Sequence, residues 1–90
     1  MIRKEFVIAH PSGLHARPAT LIVKIANRFD CELRITHEGE TVDLKSIMGV
    51  LSLGVDKGAL VVIEAEGEDE LRAMEAISDH ITEMNIQGKE

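Results

Sequence analysis

The residue types best suited to chemistry in this sequence lie together in Gly13-Leu14-His15-Ala16-Arg17-Pro18-Ala19. Proline has no N–H and is tolerated inside a helix only in the first turn, where that group would be unpaired anyway. Pro18 therefore predicts a helix that begins at Ala16. His15 then takes the N-cap position. Ser, Thr, Asp and Asn cap well and histidine does not, so its side chain is expected to serve something besides capping. Free N–H groups and the positive end of the helix dipole favour an anion there, by ~0.3–1 kcal/mol at an exposed site. A neutral imidazole offers a nitrogen lone pair as nucleophile. Arg17 adds a planar fork whose bonds to phosphate or carboxylate are more directional than those of Lys. The set fits a phosphoryl group held covalently on imidazole. The same residues also describe an exposed cap histidine beside a solvated arginine, and taken alone they do not separate the two.

A second segment begins at Ser46, where serine before an apolar run signals an N-cap worth ~1 kcal/mol relative to alanine. Gly54 closes the run, which predicts a helix of about two turns. Ile47, Met48, Val50, Leu51 and Leu53 are more apolar side chains than one face of so short a helix can bury. Met48, with Ile47 or Leu51, is expected to face outward, and Met adapts to several partners. The competing reading buries all five under loops. Arg17, Lys24 and Arg28 trace a basic line along the first helix that can steer acidic partner surfaces.

Other chemistries find little support. Ser12 and Cys31 have no recognisable partner base or orienting group, which disfavours a hydrolase. Histidines 10, 15, 37 and 80 lack a zincin spacing, so no metal site and no cofactor are expected. A single cysteine excludes an intramolecular disulfide and suits a reducing cytosol. The formal charge of −6 is the wrong sign for a chain that neutralises many phosphates, which disfavours nucleic acid. Two Phe and neither Trp nor Tyr leave almost nothing for bases to stack on. No apolar run approaches the ~18 residues of a membrane span, so no membrane insertion is expected. No signal peptide is recognised, and a cytoplasmic location is the expectation.

These sites need a scaffold, and the 90 residues suffice for one domain, expected over 1–90, with an aliphatic core. Ile2 to Ile8 alternates as a first strand, with Ile2, Phe6 and Ile8 on one side, and only Lys4 and Val7 break the pattern. His10-Pro11-Ser12-Gly13 is a loop. Ala19, Ile22, Val23, Ala26 and Phe29 form the apolar stripe of a helix from Ala16 to about Arg28. Cys31 to Thr36 and Glu40 to Leu44 alternate as a hairpin around His37-Glu38-Gly39. Ala59 to Ala65 is a continuous β-branched run, expected at the buried centre of a sheet. Leu71, Met74, Ile77, Ile81 and Met84 mark a last helix, whose acidic start Glu68-Asp69-Glu70 suits the positive helix end. The expected fold is an α+β two-layer sandwich with at least one antiparallel strand pair.

Gly13-Leu14-His15-Ala16-Arg17-Pro18-Ala19 resembles the active-site signature of the HPr family, the histidine-containing phosphocarriers of bacterial sugar phosphotransferase systems. Leu44-Lys45-Ser46-Ile47-Met48-Gly49-Val50-Leu51-Ser52-Leu53-Gly54 resembles that family's regulatory serine site. The likeness spans essentially the whole chain and implies an open-faced β-sandwich, βαββαβα, with a four-stranded antiparallel sheet. It further implies that His15 takes phosphate on Nδ1 from enzyme I, itself charged by phosphoenolpyruvate. His15 would then pass it to the IIA components of sugar permeases, with Arg17 assisting. Ala16, Arg17, Lys24, Ile47, Met48 and Leu51 would meet those partners. The chain would act as a stoichiometric carrier and a monomer rather than as a turnover enzyme. Ser46 would be the phosphorylation site of HPr kinase/phosphorylase, with a catabolite-control transcription factor as a further partner. A corepressor of the same fold acting through Ser46, and a nitrogen-branch phosphocarrier, are the alternatives. Asn27 stands where some members carry a further basic residue, which weakens the expected electrostatic contact.

Overall fold

The computed structural model describes residues 1–87. Its elements are β1 (Ile2–Ile8), α1 (Ala16–Ala26), β2 (Glu32–His37), β3 (Glu40–Asp43), α2 (Ile47–Ser52), β4 (Ala59–Glu66) and α3 (Glu70–Gln87). The strands form one sheet in the order β1-β4-β2-β3, with every neighbouring pair antiparallel. Strand β4 is central: Ile2 to Ile8 pair with Ala65 to Ala59 on one side, and Glu32 to Thr36 pair with Glu66 to Val62 on the other. Glu38 and Gly39 make the β2–β3 turn, both with positive φ (49° and 81°). Two left-handed residues in a two-residue loop give the twist that antiparallel strands need. His37 is therefore the last residue of β2 rather than part of the turn.

Helices α1 and α3 cover one sheet face, and the other face is open. The core between the layers is aliphatic, with Ile8, Leu14, Ile22, Leu33, Ile35, Ile63 and Ile77 wholly buried and both Phe at its margin. No polar or charged residue among the described residues is buried.

The open face corrects the reading of β4. Its apolar run implies cover on both sides, yet only Val61, Ile63 and Ala65 are buried, while Leu60 is 52% exposed beside Val7 of β1. Lys4, which seemed to break the β1 pattern, belongs on the covered side. Lys4 is nonetheless exposed: its ammonium sits 6.0 Å from the Phe6 ring centroid and Nζ donates to Ser78 Oγ at 3.5 Å, so the charge stays at the edge of the layer.

Helix α3 follows its stripe with one exception. Leu71 is exposed and Ala73 is buried instead. At 3.6 residues per turn Leu71 lies roughly 120° around the helix from Ile77, beyond the edge of the covered stripe. The acidic start does more than complement a dipole. The Asp69 carboxylate accepts N–H bonds from Asp30 (2.8 Å) and Cys31 (2.9 Å), pinning the α1–β2 connection, and Glu70 Oε1 accepts from Gly67 N–H at 3.1 Å. Helix α1 ends two residues earlier than its stripe suggests because Asn27 caps it.

Candidate functional site

The loop leading into α1 is shaped by short-range constraints. Gly13 N–H donates to His10 O at 2.9 Å, and Ser12 N–H donates to His10 Nδ1 at 3.0 Å. Asn85 of α3 grips the end of β1 with both ends of its amide, accepting from Ala9 N–H and donating to Val7 O, each at 2.9 Å. Leu14 N–H donates to Val55 O at 2.9 Å, which brings the α2–β4 connection against this loop. Gly13 makes that approach possible. Its φ is +59°, and a Cβ there would collide with the Val55 carbonyl and lie 2.9 Å from Asp56 Cα.

His15 occupies the N-cap of α1 with extended backbone (φ −115°, ψ 161°) and makes no capping bond. Its Nε2 lies instead 2.8 Å from Asp56 Oδ1. Asp56, the partner of His15, is a residue that sequence reasoning missed. It stands 41 positions from His15 in an exposed loop, and no local pattern marks it. The only hint is Gly13, whose left-handed turn signals that some backbone comes close. With Nε2 engaged, Nδ1 is the ring nitrogen without a hydrogen-bond partner among the described residues. Ala16, first in the helix, has φ +48°, a left-handed value that costs an L-residue about 1–2 kcal/mol. The helix start is thus strained next to His15.

Arg17 is exposed and makes no ion pair among the described residues, so its fork is available to an anion. It borders a cleft of about 540 Å³ between α1 and α3, also lined by His10, Ser12, His80 and Glu83. His15 does not line that cleft, and its half-exposed ring stands on open surface. Cys31 is buried, and burial first, with the neighbouring Asp69 carboxylate, pushes its thiol up to about 11, which removes it as a nucleophile. No group of three or more His, Cys, Asp or Glu placed to hold a metal occurs among the described residues.

Ser46 is the N-cap of α2, its Oγ accepting from Gly49 N–H at 3.0 Å. Within α2 only Val50 is buried. Ile47, Met48 and Leu51 are 43%, 79% and 37% exposed, so the apolar excess does face outward, while Leu53 turns into the core. Lys24 and Arg28 are exposed on and just beyond α1. Asn27, the departure from the basic residue of some members of the resembled family, is a stitch: its Nδ2 donates to Val23 O (2.9 Å) and to Lys45 O (3.0 Å). Lys45 in turn donates to Phe29 O at 2.7 Å. Ser46 therefore sits by the C-terminal end of α1 and His15 at its N-terminal end, about 16 Å of helix apart. Ala16 and Arg17 flank His15, and Lys24 belongs to the Ser46 end.

The chain matches the family model described as "PTS HPr component phosphorylation site" over residues 2–83. Among solved structures it resembles HPr-C-His from Thermoanaerobacter tengcongensis, at 40% identity and a TM-score of 0.92, covering 94% of this chain and 96% of that one. It also resembles the phosphocarrier protein HPr from Bacillus anthracis, at 40% identity and a TM-score of 0.84, covering 88% and 94%. Crh, the Bacillus subtilis catabolite repression containing protein, seen as a domain-swapped dimer, is 39% identical with a TM-score of 0.73, covering 93% and 97%. Strand order, helix placement and the match along nearly the whole chain agree, and the protein belongs to the HPr family of phosphocarriers of the phosphotransferase system.

Proposed function

We propose that this protein carries a phosphoryl group on Nδ1 of His15, taking it from enzyme I and giving it to IIA components of sugar permeases. One observation carries this reading: at the start of α1, Nε2 of His15 is engaged by Asp56, which leaves Nδ1 without a hydrogen-bond partner among the described residues, two positions before an exposed Arg17. The Nδ1 lone pair attacks phosphorus, the bond to the donor nitrogen breaks, and that bonding pair stays with the donor ring. Transfer onward reverses the step. Exchange between imidazoles replaces like bonds with like, so stabilisation must be moderate if the phosphoryl group is to leave again. One arginine fork and the N–H groups of a helix start supply that restrained stabilisation.

Ala16, Arg17, Lys24, Ile47, Met48 and Leu51 form the docking surface used by successive partners, and the protein acts as a monomeric stoichiometric carrier rather than a turnover enzyme. Ser46 is a regulatory phosphorylation site for a kinase of the HPr kinase/phosphorylase type. Its half-buried position at a helix start supports this, since a phosphate is tolerated electrostatically at an N-terminus and alters the surface without unfolding it. In that phosphorylated state the same surface serves a catabolite-control transcription factor.

The test is to incubate the protein with phosphoenolpyruvate, magnesium and enzyme I and to map the acid-labile phosphate. It is expected on His15 alone, with His15→Ala folded and unlabelled. Label on His10, His37 or His80, or a labelled His15→Ala protein, would overturn the assignment.

A further inference from the structure

We propose that Asp56 is a positioning residue for phosphoryl transfer, fixing which nitrogen of His15 reacts. This rests on the carrier reading above. The Asp56 carboxylate can only accept, so the neutral imidazole that meets it at 2.8 Å holds its proton on Nε2 and its lone pair on Nδ1. The other tautomer would set a nitrogen lone pair against a carboxylate oxygen and lose the bond. Asp56 thereby selects the reactive nitrogen before any partner arrives.

The contact is built into the backbone. Gly13 lets the Val55–Asp56 backbone approach closer than any side chain would allow, and Leu14 N–H ties to Val55 O one residue before the carboxylate. On the far side Ala59 N–H donates to Asp56 O at 3.1 Å, and Gly58 N–H donates to Ile8 O at 2.6 Å. Asp56 is therefore held from both flanks while its side chain remains 85% exposed. His15, for its part, leaves its capping role vacant to make this bond.

The charge balance of the transfer favours the same pairing. When Nδ1 of an Nε2–H imidazole takes a phosphoryl group, no proton has to leave and the ring becomes cationic. Asp56 then faces a cation, so it stabilises the phosphorylated ring as well as preparing the free one. Because water surrounds the carboxylate, that contribution to the transfer equilibrium is small, at most about fivefold. The larger effect is on rate, through orientation. Losing the partner that orients a metal-bound histidine typically costs ~10–100-fold, and an orienting carboxylate on a reactive imidazole acts through the same control of ring orientation and tautomer.

The experiment compares wild type with Asp56→Ala and Asp56→Asn. Nitrogen-15 chemical shifts of the His15 ring in the neutral form read the tautomer, and phosphorylation by enzyme I is timed in parallel. Wild type is expected to hold the proton on Nε2. Asp56→Ala should mix the tautomers and lower kcat/KM for phosphorylation by roughly tenfold at unchanged thermal stability. Asp56→Asn, which keeps an acceptor oxygen without the charge, should fall between. Wild-type tautomer populations and wild-type rates in both variants would overturn the role of Asp56 and leave the carrier function standing. Absence of label on His15 in wild type would instead defeat the carrier function, and the proposal with it.

Discussion

At the scale of single residues, the site depends on one atom's width of space. At Gly13 the fold cannot accommodate a side chain, because a Cβ would press on the Val55 carbonyl and because the φ of +59° already disfavours an L-residue. Gly13→Ala is expected to cost about 2–4 kcal/mol, from backbone strain together with forced displacement of the neighbouring loop. It should also push Asp56 away from His15, so phosphorylation should slow in the molecules that still fold. Urea denaturation measures the first effect, and enzyme I kinetics on the folded fraction measures the second. A stable Gly13→Ala protein with wild-type rates would show that the loop adjusts freely. The neighbouring Ala16 presents the contrasting case: it is exposed, and the cost of its left-handed φ lies within its own backbone rather than in a clash with another segment.

At the scale of elements, α2 connects the two candidate sites. It starts at Ser46, by the C-terminal end of α1, and the chain leaving it returns through Val55 and Asp56 to the N-terminal end. Phosphate on Ser46 would lie roughly a helix length from His15 and cannot touch the imidazole. Its expected action is on docking, by repelling acidic partner groups beside Ile47, Met48 and Leu51. A Ser46→Asp variant should need more enzyme I for the same labelling rate, with the maximal rate less changed. Met48→Glu should likewise weaken enzyme I binding while changing stability by less than about 0.5 kcal/mol, as expected for a side chain 79% exposed. Titration of enzyme I against the three proteins decides the matter. Unchanged half-saturation in both variants would remove the patch from the docking surface and leave Ser46 as a helix cap.

At the scale of the whole molecule, stability rests on one aliphatic layer between sheet and helices, with few polar groups drawn into it. Those few set its pH dependence. His80 lies between α3 and α1, and its Nε2 is buried without a partner. Burial lowers its pKa below the ordinary 6.5, and the nearby Glu83 only partly opposes this. Below 6.5 the unfolded chain binds a proton that the folded one refuses, so stability falls as the pH drops. Asp69 adds to the loss at lower pH, because the N–H bonds from Asp30, and then from Cys31, hold its pKa below 3.8 and its protonation breaks them. Cys31 acts at the other end. Its thiol ionises at 9.0 in the unfolded chain but near 11 when folded, so stability declines between those values. Denaturation midpoints measured across the pH range should therefore form a plateau between about 7 and 9. His80→Leu should flatten the acid shoulder near 6.5 and Cys31→Ala the alkaline one. A shoulder that persists in its variant would assign the titration to another group.

Local sequence alone determined much of this protein. Pro18 marked the start of α1 and left His15 at its cap. Ser46 and Gly54 bracketed α2, and the apolar surplus between them required exposed side chains. The periods of two and 3.6 placed β1, the β2–β3 hairpin, α1 and α3, because burial of one face imposes those periods on nearby residues, while β4 was marked by its continuous β-branched run. Tertiary structure decided the rest. Whether the apolar run in β4 is covered on both faces depends on where the helices pack, and they leave Leu60 exposed. Leu71 misses the core by its angle around α3, which matters only once the sheet defines the covered stripe. Asn27 and Asp69 serve as ties between distant segments, and neither bond has a local signature. Asp56 is the clearest instance: the bond that distinguishes Nδ1 from Nε2 joins residues 41 positions apart, through a backbone approach that exists only when Gly13 meets Val55. A repeating pattern along the chain can announce a helix or a strand, but a contact between two loops is set by the packing of everything between them.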